Sequence, residues 1–148
     1  MIVAARVTQS AADVHELLPM QCEAEQNTGR SPKHLLADAG YKSEANFVAL
    51  EERGIDGCVS LGRREETREK VKNAGPATAR MARKLETKRG RRRFKRRKVI
   101  VEPVFGWVKH VLGFRSFSLR GHDKVTAEWD LVCLATNLRR VNGRIAWT

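Results

Sequence analysis

Eight of the ten residues from Arg89 to Lys98 are basic, and no folded core can take up such a run. Charged side chains are seldom buried without partners, so this segment must lie on a surface facing water or a polyanion. The rest of the charge is arranged around it. Residues 1–60 carry 5 basic and 9 acidic side chains, residues 61–100 carry 17 and 4, and residues 101–148 carry 7 and 4. The chain therefore reads as a mildly acidic first part, a strongly basic middle and a moderately basic end. Over 148 residues the net charge is +12, which points to nucleic acid as the partner.

Several classes are excluded. No apolar run approaches the length of a membrane-spanning helix, the N-terminus "MIVAARVTQS" lacks a signal-peptide pattern, and no basic amphipathic face suits a lipid surface. Cys22, Cys58 and Cys133 are odd in number and far apart, which argues against a disulfide framework or a zinc module and for a reducing cytoplasm. His15, His34, His110 and His122 form no ligand cluster. A length of 148 residues suits one domain with its own core.

"IVAARVT" (2–8) is rich in β-branched residues and reads as a strand. A helix follows from Ser10 and Asp13, with a kink or early end expected at Pro19. After the turn cluster "QNTGRSP" (26–32), "HLLAD" (34–38) is the next strand. Ser43 opens a second helix with Phe47 and Leu50 on its apolar face, and Gly54 ends it in a left-handed cap. "IDGCVSL" (55–61) is a third strand, completing a β-α-β-α-β order typical of a layered α/β sheet. Residues 62–98 read as a basic loop and a helix from about Ala77 to Lys88 running into the basic run. Within 99–148, Val125, Trp129, Val132, Cys133, Thr136 and Val141 recur at helical spacing, and Gly143 is placed to cap that helix.

Two carboxylates stand out. Asp38 ends a strand of an α/β unit, where ligands commonly sit, and the alternative is an ordinary turn aspartate. Glu102 lies in the apolar frame "VIVEPVFGW", where a carboxylate is poorly solvated without a metal or an arginine. The alternative there is a helix-start carboxylate beside Pro103. Since the residue before proline disfavours the helical region, Glu102 is expected at a kink or a first turn. Trp107, Phe114 and Trp129 read as core rather than stacking platforms.

Taken together, "VTQSAAD", "LLADAGYKSEANFVALEERGID" and "VEPVFGWVKHVLGFRSFSLRGHDKVTAEWDLVCLATNLRR" resemble the second half of the catalytic domain of bacterial insertion-sequence transposases of the DDE class. The resemblance spans nearly the whole chain, with 62–88 its least distinctive part. It implies a ribonuclease-H-like α/β fold in which three carboxylates hold two Mg²⁺ or Mn²⁺ ions, with Asp38 and Glu102 as metal-binding and catalytic members. It implies DNA, both transposon ends and target, as partner, admits a homo-oligomer, and places the protein in the bacterial cytoplasm at the nucleoid. Arg91, Arg92, Arg93, Lys95, Arg96, Arg97, Lys98 and Lys109 are the expected DNA-binding residues. Arg97 and Lys109 match the arginine and lysine of the family's tyrosine-arginine-glutamate-lysine signature, and Phe94 stands where the tyrosine is expected. The triad's first aspartate would precede the strand that here begins at Met1. The expectation is a partial catalytic domain over 1–148 that lacks that carboxylate and the opening strand or strands, and is impaired for strand transfer. A non-enzymatic DNA-binding remnant and a basic RNA- or ribosome-associated protein are the alternatives.

Overall fold

The computed structural model describes residues 1–62 and 74–143. It is mixed α/β, mostly helical, and falls into two compact units: Ser10–Val99, and Met1–Gln9 with Ile100–Thr148.

In the first unit, a 3₁₀ turn over Asp13–His15 leads into α1 (Leu17–Thr28), closed by Gly29 at φ 64°. Pro19 neither kinks nor ends α1. It sits in the first turn, where backbone N–H groups have no intrahelical acceptor, so the missing donor removes nothing. Strand β1 (His34–Ala37), helix α2 (Glu44–Glu52) and strand β2 (Asp56–Val59) form a βαβ crossover, and the strands pair in parallel with His34 opposite Asp56 and Ala37 opposite Val59. The Ser43 hydroxyl caps α2 by accepting the Asn46 N–H at 3.0 Å. At its other end Gly54 turns the chain at φ 66°, as its position suggested. Leu17, Ala37, Phe47, Leu50, Ile55, Val59, Ala77 and Met81 make the core, with Phe47 and Leu50 almost wholly enclosed.

The sheet has two strands among the described residues, not three. Residues 2–8 join no ladder. Instead, the Asn137 carboxamide accepts from the Ile2 N–H and donates to the Ile2 carbonyl, each at 2.7 Å.

Helix α3 (Pro76–Glu86) starts with Pro at its first position and packs on α2. The Glu44 carboxylate accepts from the N–H groups of Ala77 (2.7 Å) and Thr78 (2.9 Å) and from the Thr78 hydroxyl (2.6 Å). These donors hold the Glu44 carboxyl below its ordinary value, the Thr78 hydroxyl contributing most. Thr87 breaks the helix in extended conformation and caps the next, its hydroxyl donating to the Lys84 carbonyl (2.7 Å) and accepting the Gly90 N–H (2.9 Å). Helix α4 runs from Lys88 to His110 across the division between the units.

In the second unit, Gly113 (φ 74°) turns the chain after α4, and the Phe114 N–H returns to the Val108 carbonyl at 3.0 Å. Phe114, Phe117 and Trp129 form an aromatic cluster with ring centroids 5.3–6.4 Å apart. The Glu128 carboxylate fixes the loop beside it by accepting the N–H groups of Ser118 (2.9 Å) and Leu119 (3.1 Å). Helix α5 (His122–Asn142) has Gly143 as its C-cap and buries Val132, Cys133 and Thr136. Val141, expected on that same face, is exposed.

Candidate functional site

Asp38 lies one residue beyond the carboxyl end of β1, as the N-cap of a 3₁₀ turn over Ala39–Tyr41. Its Oδ1 accepts the Gly40 N–H at 3.1 Å, and its Oδ2 faces Arg97 NH1 at 3.7 Å. The side chain is half exposed, so an incoming ligand can reach it. Asp13, at a helix start by sequence, also brings its carboxylate here. A Cβ built on Gly40 would lie 3.0 Å from Asp13 Oδ2 and 3.3 Å from Asp38 Oδ1, so the glycine leaves room for both. Burial pushes the Tyr41 hydroxyl up, and the charges of Asp13, Asp38 and Glu16 push it further. A signal for Asp13 did exist: helix starts and strand ends of an α/β unit gather at one edge of the sheet.

Arg97 answers this acidic group from α4. Its guanidinium stacks on Phe94 at 5.5 Å, and its Nε is buried without a hydrogen-bond partner among the described residues. One turn earlier, Arg93 pairs with Asp56, which also binds Lys84 and lies 3.3 Å from His34 Nδ1. Burial lowers the His34 pKa from its ordinary 6.5, and the charges of Arg93, Arg89, Lys84 and Arg96 lower it further. Lys84 and Arg93 supply the charge opposing Asp56.

The basic run is thereby divided by helical phase. Gly90, Arg93, Phe94 and Arg97 are buried or half-buried, while Arg91, Arg92, Lys95, Arg96 and Lys98 are exposed. The exposed set is a continuous positive surface free to meet phosphates.

Glu102 departs from expectation in two ways. It is exposed, because its apolar neighbours Val99, Ile100, Val101 and Phe105 are themselves exposed and enclose nothing. It also occupies the interior of α4 and not a first turn. Pro103 deprives the Val99 carbonyl of its helical partner, but Val99 is 76% exposed and water can take that bond. Glu102 and Lys109, seven residues apart on this helix, share a face, and both are exposed. Asp38 and Glu102 belong to different compact units.

Carboxylate oxygens are the right donor chemistry for Mg²⁺ or Mn²⁺. The donor number falls short: among the described residues no three His, Cys, Asp or Glu side chains are grouped to hold an ion. Among them, too, no helix is long and apolar enough to cross a membrane.

Compared with known proteins, the chain matches the transposase DDE domain over residues 1–138. No curated protein and no solved structure gives a significant match. A match that covers nearly the whole sequence settles the family: this chain belongs to the transposase DDE domain family.

Proposed function

We propose that this protein acts on DNA as part of a transposase, with Asp38 and Glu102 serving metal-dependent cutting and joining of strands and the outward face of α4 gripping the phosphate backbone. The observation that carries this reading is the placement of Asp38: an accessible carboxylate at the end of a parallel strand, beside Asp13 and within reach of a strongly basic helix. We read β1-α2-β2 as part of a ribonuclease-H-like layer, and Mg²⁺ or Mn²⁺ as the ions. When bound, such ions would supply Lewis-acid stabilisation of the charge that develops at a phosphodiester. Asp38 and Glu102 would help hold them, Lys109 would contact a phosphate near the scissile one, and Arg91, Arg92, Lys95, Arg96 and Lys98 would position the duplex. Transposon ends and target DNA are the substrates, in the bacterial cytoplasm at the nucleoid.

A second reading has its own support. The exposed basic face of α4 can hold phosphates without a metal, which suits a DNA-binding protein with little or no catalysis. The experiment is nicking of supercoiled plasmid with Mn²⁺, comparing the wild-type chain with Asp38→Ala and Glu102→Ala. Slow, Mn²⁺-dependent nicking that disappears in both variants supports the enzyme. Metal-independent binding with no nicking supports the second reading, and nicking that survives both substitutions refutes the assignment.

A further inference from the structure

Asn46 is a buried polar side chain, 6% exposed, in the first turn of α2. Its backbone N–H is taken up by the Ser43 cap, which leaves the carboxamide to serve other elements. The amide nitrogen donates to the Val14 carbonyl at 2.7 Å and to the Tyr41 carbonyl at 2.9 Å. Two acceptors decide which end of the carboxamide faces them, and both of its N–H groups are used. With so little water around the amide, these bonds are not readily exchanged for solvent.

The two carbonyls belong to the two turns that bear the carboxylates. Val14 follows Asp13 in the 3₁₀ turn Asp13–His15, and Tyr41 closes the 3₁₀ turn that Asp38 caps. These turns are distant in sequence and pack on each other, and one buried amide ties their backbones together. The tie sets where Asp13 stands. Its Oδ2 and the Asp38 Oδ1 lie 3.0 and 3.3 Å from one point, the place a Cβ on Gly40 would take. Any nearby carbonyl could satisfy a core asparagine, but here both partners lie in the turns that carry the acidic pair.

We propose that Asn46 is a positioning residue: its carboxamide locks the Asp13 turn onto the Asp38 turn, so that Asp13 presents a second carboxylate to the ion that Asp38 serves. This placement rests on the metal reading of Asp38, and one set of variants separates the two. Calorimetric titration of the whole chain with Mn²⁺ compares the wild type, Asp38→Asn, Asp13→Asn, Asn46→Ala and the Asp13→Asn/Asn46→Ala double variant, each checked for fold by circular dichroism. Asp13→Asn and Asn46→Ala should each weaken binding by about tenfold. The double variant should bind no more weakly than Asp13→Asn alone, because Asn46 acts through Asp13. Tyr41, the chain's one tyrosine, gives a second readout that needs no metal. Burial raises its hydroxyl pKa, and the charges of Asp13, Asp38 and Glu16 raise it further. Its ultraviolet titration midpoint should therefore fall in Asp13→Asn and in Asn46→Ala, and no further in the double variant. If Asn46→Ala does not fold, Asn46→Ser, which keeps a hydroxyl donor, takes its place. Wild-type affinity in Asp13→Asn or in the Asn46 variant, beside lost binding in Asp38→Asn, overturns the role given to Asn46 and leaves the metal reading standing. An Asn46 effect that persists in full without the Asp13 carboxylate also overturns it, as a merely structural one. No Mn²⁺ binding by the wild type overturns both.

Discussion

Replacing Arg91, Arg92, Lys95, Arg96 and Lys98 together with alanine should weaken duplex DNA binding by about two to three orders of magnitude near 0.1 M salt. All five are exposed on α4, and none of them makes the ion pairs that fasten this helix to Asp38 and Asp56. The substitution removes phosphate contacts without removing structure, and alanine is at least as good a helix former as the residues it replaces. Each neutralised phosphate releases condensed counterions, so the plot of log affinity against log salt should become shallower by about four. Fluorescence anisotropy of a labelled duplex over a salt series reads both quantities. Unchanged affinity and slope would place DNA elsewhere on the protein.

Gly90→Ala should destabilise the Ser10–Val99 unit by about 2–3 kcal/mol, as overpacking against backbone does. A Cβ at this position would stand 2.9 Å from the Lys84 carbonyl carbon, nearer still to its oxygen, and 3.1 Å from the Thr87 hydroxyl. The obstacle is the last turn of α3 itself, not a side chain that can swing away, so the joint between α3 and α4 must open. That opening would disturb the Thr87 cap and pull Arg93 and Arg97 from Asp56 and Asp38. Urea unfolding followed by circular dichroism measures the loss of stability. A wild-type midpoint for Gly90→Ala would mean that the joint is not packed this tightly.

The β1-α2-β2 unit was legible because its signals are local: a short apolar run, a serine cap, an i, i+3 apolar pair and a glycine stop. Residues 2–8 carry the same β-branched composition, but a strand is completed by its neighbour, and here the polar partner of Ile2 is a side chain 135 residues away. Glu102 was misjudged for a related reason. An apolar stretch of sequence buries a carboxylate only if the fold covers that stretch, and Val99, Ile100 and Phe105 are left in water. The basic run looked uniform as sequence. Helical phase, together with Asp38 and Asp56, turns two of its arginines inward and leaves the others for a ligand. Asp13 reads in the sequence as a helix start, because its separation of twenty-five residues from Asp38 hides their convergence around Gly40.

The central claim is that Asp38 belongs to a metal-binding group of a DNA-acting enzyme, and calorimetric titration of the chain with Mn²⁺ tests it most directly. Asp38→Asn is the companion variant, since an asparagine oxygen can still accept the Gly40 N–H and preserve the turn. Saturable Mn²⁺ binding that is lost in Asp38→Asn, with the fold intact, is the predicted result. No binding by the wild type, or equal binding by both proteins, would contradict it and leave the chain a DNA-binding protein without a metal centre.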